Sequence, residues 1–315
     1  VTGPKIVASL GDASHGASSA GYHNIETYLK CPKRYQFDKV RGVRLPLSGT
    51  PTYFAVGAMF HAGRAAWFTS GFKTDTATWD YIKEQMAKCF HAYELPVPDS
   101  VHGEVQGYME QYVEHYAMRP HPNVIGAEYE LGPADIGDGE VRTARLDDVA
   151  FYPEAGGRLC VGECKTTGSD VATTVLQYEL HGQPALQAML WEAAIQGAHL
   201  HGSVTGVMLD VVQKGYKGKR CQFARKFIDV PPTVRTWWSK MLSKAVREAR
   251  SVTWNSEVDR RITSCTEMSG SRRVACPYLE LCKHGRDAAL IYVTEDGKRL
   301  TEHEQTEGKE RFPWE

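Results

Sequence analysis

At 315 residues, 42% of them hydrophobic and 24% charged, the chain has the balance of a globular protein with one large domain or two modest ones. Its apolar runs are short and broken by Gly or charge, which excludes a transmembrane helix, and Val1–Gly21 lacks the basic head and apolar stretch of a secretory leader. Lys plus Arg number 37 against 38 Asp plus Glu, a net charge of −1 that excludes a uniformly basic nucleic-acid coat but leaves room for a local basic groove.

In chain order, residues 1–22 are rich in Gly, Ser and Ala and read as a flexible lead-in. Residues 23–120 read as mainly helical. A first helix has Asn24 as N-cap before Ile25, Tyr28 and Leu29 and is limited by Pro32. Further helices are expected over 53–68, 77–93 and 101–118. The period then changes to two. Residues 144–152 and 158–166 alternate around Pro153-Glu154-Ala155-Gly156-Gly157, which predicts a β-hairpin with a five-residue loop. A helix follows over 184–196, with Pro184 in its first turn and Gly197 beyond its end. Strands are expected near 203–212 and 220–230, then a Trp-rich helix over 232–250. In that helix Trp237 and Trp238 stand at helical spacing with Val234, Met241 and Leu242, so at least one belongs to a core. The fold class is α/β, a mixed central sheet flanked by helices. A core over 121–255 is followed by a cysteine segment over 256–290, packing back on residues 24–40, and a polar tail over 291–315.

A loop centred on Ala155 makes opposed residues sum to 310, so Phe151 faces Leu159, Val149 faces Val161, Asp147 faces Glu163 and Arg145 faces Lys165. All share one face of the hairpin, and directly opposed Cβ atoms lie only about 4.5–5.5 Å apart. Two carboxylates that close repel, and a divalent cation between them turns the repulsion into binding; hard cations such as Mg²⁺ take carboxylate oxygens, water and phosphate. Lys165 lies within reach of the same point. A solvated surface hairpin is the plain alternative, and the apolar Val149, Phe151, Leu159 and Val161 on the same face argue against it. A bulge would substitute Asp148 for Asp147.

These residues resemble a known family. Asp147 followed by Glu163-Cys164-Lys165 resembles the D…(D/E)-x-K core of the PD-(D/E)XK nucleases. Gly57-Ala58-Met59-Phe60-His61 resembles the G-x-x-x-H helix of their RecB-like branch, and Arg145-Leu146-Asp147 its GRID strand. Gln183 matches the first position of its Q-x-x-x-Y motif, with Gln187 where Tyr is expected. The resemblance implies Mg²⁺ or Mn²⁺ held by His61, Asp147, Glu163 and the backbone carbonyl of Cys164. It gives Lys165 the water and Gln183 the orientation of Lys165 or of a phosphate.

Of the eight cysteines, four fit a second part of the resemblance. Without a leader, clustered cysteines point to metal or catalysis rather than to disulfides. Tyr28-Leu29-Lys30-Cys31-Pro32-Lys33-Arg34-Tyr35 resembles the Y-x-x-C-P-x-x-[FY] segment of iron–sulfur members of this branch, where one early and three late cysteines hold a 4Fe–4S cluster. The late three here are Cys265, Cys276 and Cys282, although ten residues separate the first two where C-x-x-C is usual. Four thiolates equally suit tetrahedral Zn²⁺. Cys89, Cys160, Cys164 and Cys221 read as buried thiols.

Charge is unevenly distributed. Residues 214–250 hold eleven basic side chains and two acids, whereas 128–163 hold nine acids and three arginines. A basic rim beside an acidic pocket suits phosphodiester cleavage, with Tyr216, Lys217, Lys219 and Arg220 as nucleic-acid contacts; Trp237 and Trp238 could also stack on unpaired bases. The expectation is a metal-dependent DNA nuclease, an exonuclease on single strands or ends, in the cytoplasm. No G-x-x-x-x-G-K-[ST] loop is present, so a helicase or recombination partner would supply unwinding. The alternatives are a nuclease-fold DNA-binding subunit and an iron–sulfur or zinc regulatory protein without hydrolysis.

Overall fold

The computed structural model describes residues 22–40, 42–43, 52–91, 97–137, 139, 141–179, 181–195, 203–215, 220–253, 257–258, 266–269 and 272–284. These fall into two compact units, one drawn from 49–239 and the other from 19–48 and 240–315. Cys265, Tyr216, Lys217 and Lys219 lie outside the described residues.

The first unit is a five-stranded mixed sheet between helical layers. Three helices lead in: α3 (Thr52–Thr69), α4 (Thr76–His91) and α5 (Asp99–Tyr116). They follow α1 (Tyr22–Lys30) and the short α2 (Pro32–Tyr35). The sheet is formed by β1 (Asn123–Asp135), β2 (Val141–Tyr152), β3 (Arg158–Thr167), β4 (Gly206–Gln213) and β5 (Gln222–Asp229), side by side in chain order. Neighbours are antiparallel except β3 and β4, which are parallel. That parallel pair requires a crossover, and α6 (Val171–Glu179) and α7 (Gly182–Ile195) supply it. The helix α8 (Pro232–Ser251) follows β5.

The β2–β3 hairpin has the expected register. Tyr152 pairs with Arg158, Phe151 with Leu159, Val149 with Val161 and Asp148 with Gly162. Its connection is a 3₁₀ turn over Pro153–Ala155 followed by Gly156 and Gly157 at φ 68° and 73°, where an L side chain would be strained. Both faces of the hairpin are buried, because helices cover both sides of the sheet. On one side α3 and α5 present Val56, Phe60, Trp67, Val105, Met109 and Tyr112 to a core that includes Cys164 and Val212. On the other, Val171, Val175 and Tyr178 of α6 cover Leu209, Val211 and Ile228. Along α5 the buried Val101, Val105, Tyr108, Tyr112 and Tyr116 recur every three or four residues, the stripe that fixes this helix on its neighbours.

Three elements depart from expectation. The first helix begins at Tyr22, so Asn24 sits inside its first turn instead of capping it. Strand β1 and helix α6 were not anticipated. In β1 the register shifts between Val124 and Gly126 and again between Leu131 and Ala134, which destroys the period-two pattern. Trp238 packs so closely on Gly182 that a Cβ there would lie 2.6 Å from the indole, whereas Trp237 is exposed.

The second unit ties early to late sequence. The Gln36 side-chain amide donates to the Thr253 carbonyl at 2.6 Å, Tyr278 Oη donates to the Val43 carbonyl at 2.9 Å, and Phe37 packs against the Tyr278 ring. Here β6 (Thr266–Ser269) and β7 (Arg272–Ala275) pair antiparallel, and α9 (Leu279–His284) follows. Cys31 is buried, Cys276 and Cys282 are half-buried, and none of the three forms a disulfide. No helix among the described residues is long and apolar enough to cross a membrane.

Candidate active site

Helix α3 and strands β1 and β2 bring His61, Glu128 and Asp147 together, with one potential ligand atom from each within 4.8 Å of the others. His61 Nδ1 lies 3.3 Å from Asp147 Oδ1 and 3.9 Å from Glu128 Oε1. Ala127 pairs with Asp148 and Tyr129 with Leu146, so Glu128 stands directly opposite Asp147 across β1 and β2. A juxtaposed carboxylate pair was expected of β2 and β3; this one joins β2 to the strand on its other side. Glu128 also adopts φ 48°, uncommon for a non-glycine residue and a local strain of the kind that clusters at functional sites.

Burial and the neighbouring charges shift all three groups. Burial, reinforced by the Asp147 charge, pushes the Glu128 carboxyl up to about 7, although His61 and Arg145 pull the other way. Burial alone would raise Asp147 too, but His61, Lys165 and the Cys164 N–H together hold it below the ordinary carboxylate range. Burial lowers the His61 imidazole, and the charge and hydrogen bond of Asp147 more than restore it, so its pKa is raised. One imidazole and two carboxylates, one of them pushed toward its protonated form chiefly by burial, form a donor set suited to a divalent cation of the Mg²⁺ or Mn²⁺ type.

Glu163 is held by partners of its own. It is almost fully buried and is not part of that three-residue group. Its carboxylate pairs with Lys165 Nζ and accepts hydrogen bonds from Gln183 Nε2 at 2.8 Å and from Gln187 Nε2. Gln187, which stands where the family motif has Tyr, is therefore a second amide clamp on Glu163. The aromatic neighbour comes from α6: Tyr178 donates to Gln183 Oε1 at 3.3 Å and its ring lies 5.5 Å from Lys165 Nζ. Burial disfavours the charged lysine, yet Glu163, Tyr178 and Asp147 raise its pKa well above the ordinary value.

The ladder between β2 and β3 ends at Asp148 and Gly162, and beyond it Asp147 Oδ2 accepts the Cys164 N–H at 2.6 Å. Asp147 thus bridges the two strands by its side chain. The Cys164 thiol points into the core on the opposite face, and burial holds it protonated. Arg220 is exposed and pairs with Glu114 at 2.6 Å.

Behind the site lies a buried ionic network with no sequence forewarning. Arg64, one turn after His61, donates to Asp148 Oδ2 at 2.7 Å and lies 3.4 Å from Asp210 Oδ2. Arg225 reaches the same Asp210 oxygen at 3.2 Å and the Tyr112 hydroxyl at 2.9 Å. Tyr112 also donates to Asp210, and Tyr152 to Asp148. Gly162 is what makes room: a Cβ there would fall 2.0 Å from Asp148 Oδ2.

No curated protein matches the chain. Among solved structures, one named "Putative exonuclease" from Eubacterium rectale superposes with a TM-score of 0.43 at 13% identity, covering 87% of this chain and 92% of its own. A model of the PD-(D/E)XK nuclease superfamily matches residues 20–283, nearly the whole described chain, and the protein therefore belongs to that superfamily of divalent-metal-dependent phosphodiester hydrolases.

Proposed function

We propose that this nuclease is an exonuclease of the RecB-like branch, acting in the cytoplasm on single-stranded DNA or DNA ends during recombination, repair or phage DNA processing. The observation that carries the reading is the convergence of His61, Glu128 and Asp147 within 4.8 Å, beside the Glu163–Lys165 pair of the D…E-x-K motif. His61, Glu128 and Asp147 would hold the catalytic ion, with Glu163 or the Cys164 carbonyl as a further ligand. A divalent cation held there would supply polarisation of the scissile phosphate and a more acidic water.

The chain's own side chains do the rest. Lys165, ion-paired to Glu163, is a charged donor and not a base; it steadies a phosphate oxygen or orients the attacking water. Gln183 and Gln187 fix the Glu163 carboxylate from one helix, so that Lys165 is aimed by its partner. Tyr178 walls the lysine from the α6 side. Duplex opening falls to a helicase or recombination partner, and basic residues of 214–250, Arg220 among them, hold phosphates outside the pocket.

The test is cleavage of an end-labelled single-stranded oligonucleotide with Mn²⁺. The wild type degrades it from an end, and Asp147→Ala and Lys165→Ala do not. Wild-type cleavage in both variants contradicts the assignment.

The same reading places a 4Fe–4S cluster on Cys31, Cys265, Cys276 and Cys282, as a clamp between the two ends of the chain. Supporting it, three of these cysteines belong to one compact unit in which residues 28–43 meet residues 248–278. Anaerobically purified protein should be brown, with about four iron and about four acid-labile sulfide per chain, and Cys31→Ala should lose both and become protease-sensitive. Zinc in place of iron identifies a Zn²⁺ clamp instead.

A further inference from the structure

Helix α6 lies on the face of the sheet that carries Glu163 and Lys165. Those two residues stand opposite Leu209 and Val211 in the parallel β3–β4 register, so all four side chains share one face. Val171, Val175 and Tyr178 recur at helical spacing and form the stripe by which α6 packs on Leu209 and Val211. Tyr178 ends that stripe in the last turn of α6, and Gln183 follows in the first turn of α7.

Tyr178, Gln183, Glu163 and Lys165 close a circuit in which every hydrogen-bond direction is forced. The Glu163 carboxylate only accepts, so Gln183 turns its nitrogen toward it and donates at 2.8 Å. The Gln183 oxygen then faces Tyr178, whose hydroxyl gives it its one hydrogen at 3.3 Å. The lone pairs of that hydroxyl are left for Lys165, whose ammonium can only donate. Lys165 Nζ lies 5.5 Å from the centroid of the Tyr178 ring and hydrogen-bonds the hydroxyl. Its pairing with Glu163 completes the circuit. An ammonium on a flexible four-carbon stem swings about a single partner. Two acceptors on different elements fix its direction and turn its remaining hydrogen toward the pocket, where the lysine side chain is 33% exposed.

We propose that Tyr178 is a positioning residue for phosphodiester cleavage, its hydroxyl holding the Lys165 ammonium in the direction that meets the scissile phosphate or the attacking water. The aromatic ring serves packing, and the oxygen serves the lysine. A phenylalanine would keep the packing and break the circuit at two points, leaving Gln183 Oε1 without this donor and Lys165 without this acceptor. The inference rests on the nuclease reading above and deepens it by naming a residue, outside the D…E-x-K motif, through which the lysine is aimed.

The test is steady-state cleavage of a single-stranded oligonucleotide by the full-length protein with saturating Mn²⁺. Tyr178→Phe should lower kcat by about 10–100-fold, the scale of a misplaced catalytic group, and leave KM within about twofold. Its Mn²⁺ affinity, read by calorimetry, should match the wild type, since the His61–Glu128–Asp147 group is untouched. Tyr178→Leu should lower kcat to the same extent but melt at a lower temperature than Tyr178→Phe, which separates the packing of the ring from the work of the oxygen. Gln183→Ala should cost a similar factor, and the double variant with Tyr178→Phe little more than either alone, because both break one circuit. A wild-type kcat in Tyr178→Phe overturns the proposal. So does a loss confined to KM, a matching loss of Mn²⁺ affinity, or effects of Tyr178→Phe and Gln183→Ala that multiply in full. Cleavage that survives Asp147→Ala removes the nuclease reading itself, whereas a wild-type kcat in Tyr178→Phe beside an inactive Asp147→Ala removes this inference alone.

Discussion

Arg64→Ala is expected to destabilise the protein by about 3–5 kcal/mol, the cost of leaving a buried charge without its partner. The Arg64 guanidinium is 2% exposed and lies between the fully buried Asp148 and Asp210. Its removal leaves Asp148 to the Tyr152 hydroxyl and Asp210 to Arg225 and Tyr112. Arg64→Lys should recover only part of the loss, since an ammonium cannot fork between two carboxylates as a guanidinium does. Urea denaturation of the two variants checks both values. A loss under about 1 kcal/mol for Arg64→Ala would mean that the network is not formed. The network also bears on function: Arg64 is on the helix of His61, and Asp148 adjoins Asp147, so it ties α3 to β2 at the level where the two candidate ligands meet.

Glu128→Gln is expected to weaken metal binding by about 100-fold or more, because even outer-shell partners of metal ligands are worth about 10–100-fold and Glu128 is placed as a ligand itself. The amide keeps the size of the side chain and a hydrogen-bond acceptor for Arg145, which lies 3.0 Å from Glu128 Oε2, so the fold is retained. Without metal the same substitution should stabilise. The carboxyl has a reference value of 4.5 and rises to about 7 in the fold, chiefly through burial and then through Asp147. A raised carboxyl pKa means that the native state binds the proton more tightly than the unfolded chain. Its contribution is present in full below about pH 4.5 and is lost as the pH climbs through about 7. Thermal melts of metal-free protein from pH 5 to pH 8.5 should therefore show a decline in the wild type that is shallower in Glu128→Gln. Isothermal titration with Mn²⁺ measures the loss of affinity, and unchanged affinity would remove Glu128 from the ligand set.

The parts of this architecture that the sequence discloses are those governed by local period and turn chemistry. The β2–β3 hairpin is one: a Pro-led five-residue turn ending in two glycines fixes the register, and alternation then assigns Asp147 and Glu163 to a common face. Helices α3, α4, α5, α7 and α8 are found within a few residues because their apolar stripes are long. Strand β1 is hidden by its own irregularity. Two register shifts and a left-handed residue at Glu128 remove alternation from the segment that supplies the third member of the carboxylate–histidine group. A β-reading of Gly126-Ala127-Glu128-Tyr129-Glu130 that tolerated one bulge would have found it. The Arg64–Asp148–Asp210–Arg225 network was invisible for another reason: its members come from four elements up to 161 residues apart, and nothing local distinguishes a buried arginine from a solvated one. The two glutamines on Glu163 were half legible. Gln183 was expected to serve Lys165 or a phosphate, and Gln187 looked like a missing tyrosine rather than a hydrogen-bond donor.

The central claim is that the His61–Glu128–Asp147 group binds a divalent cation, and Mn²⁺ titration followed by electron paramagnetic resonance tests it most directly. As the metal is added to metal-free protein, the six-line signal of free Mn²⁺ should stay suppressed until about one equivalent per chain is bound, whereas His61→Ala/Asp147→Ala should show free metal from the first addition. A double variant that sequesters Mn²⁺ as the wild type does would place the metal elsewhere in the protein and contradict the account.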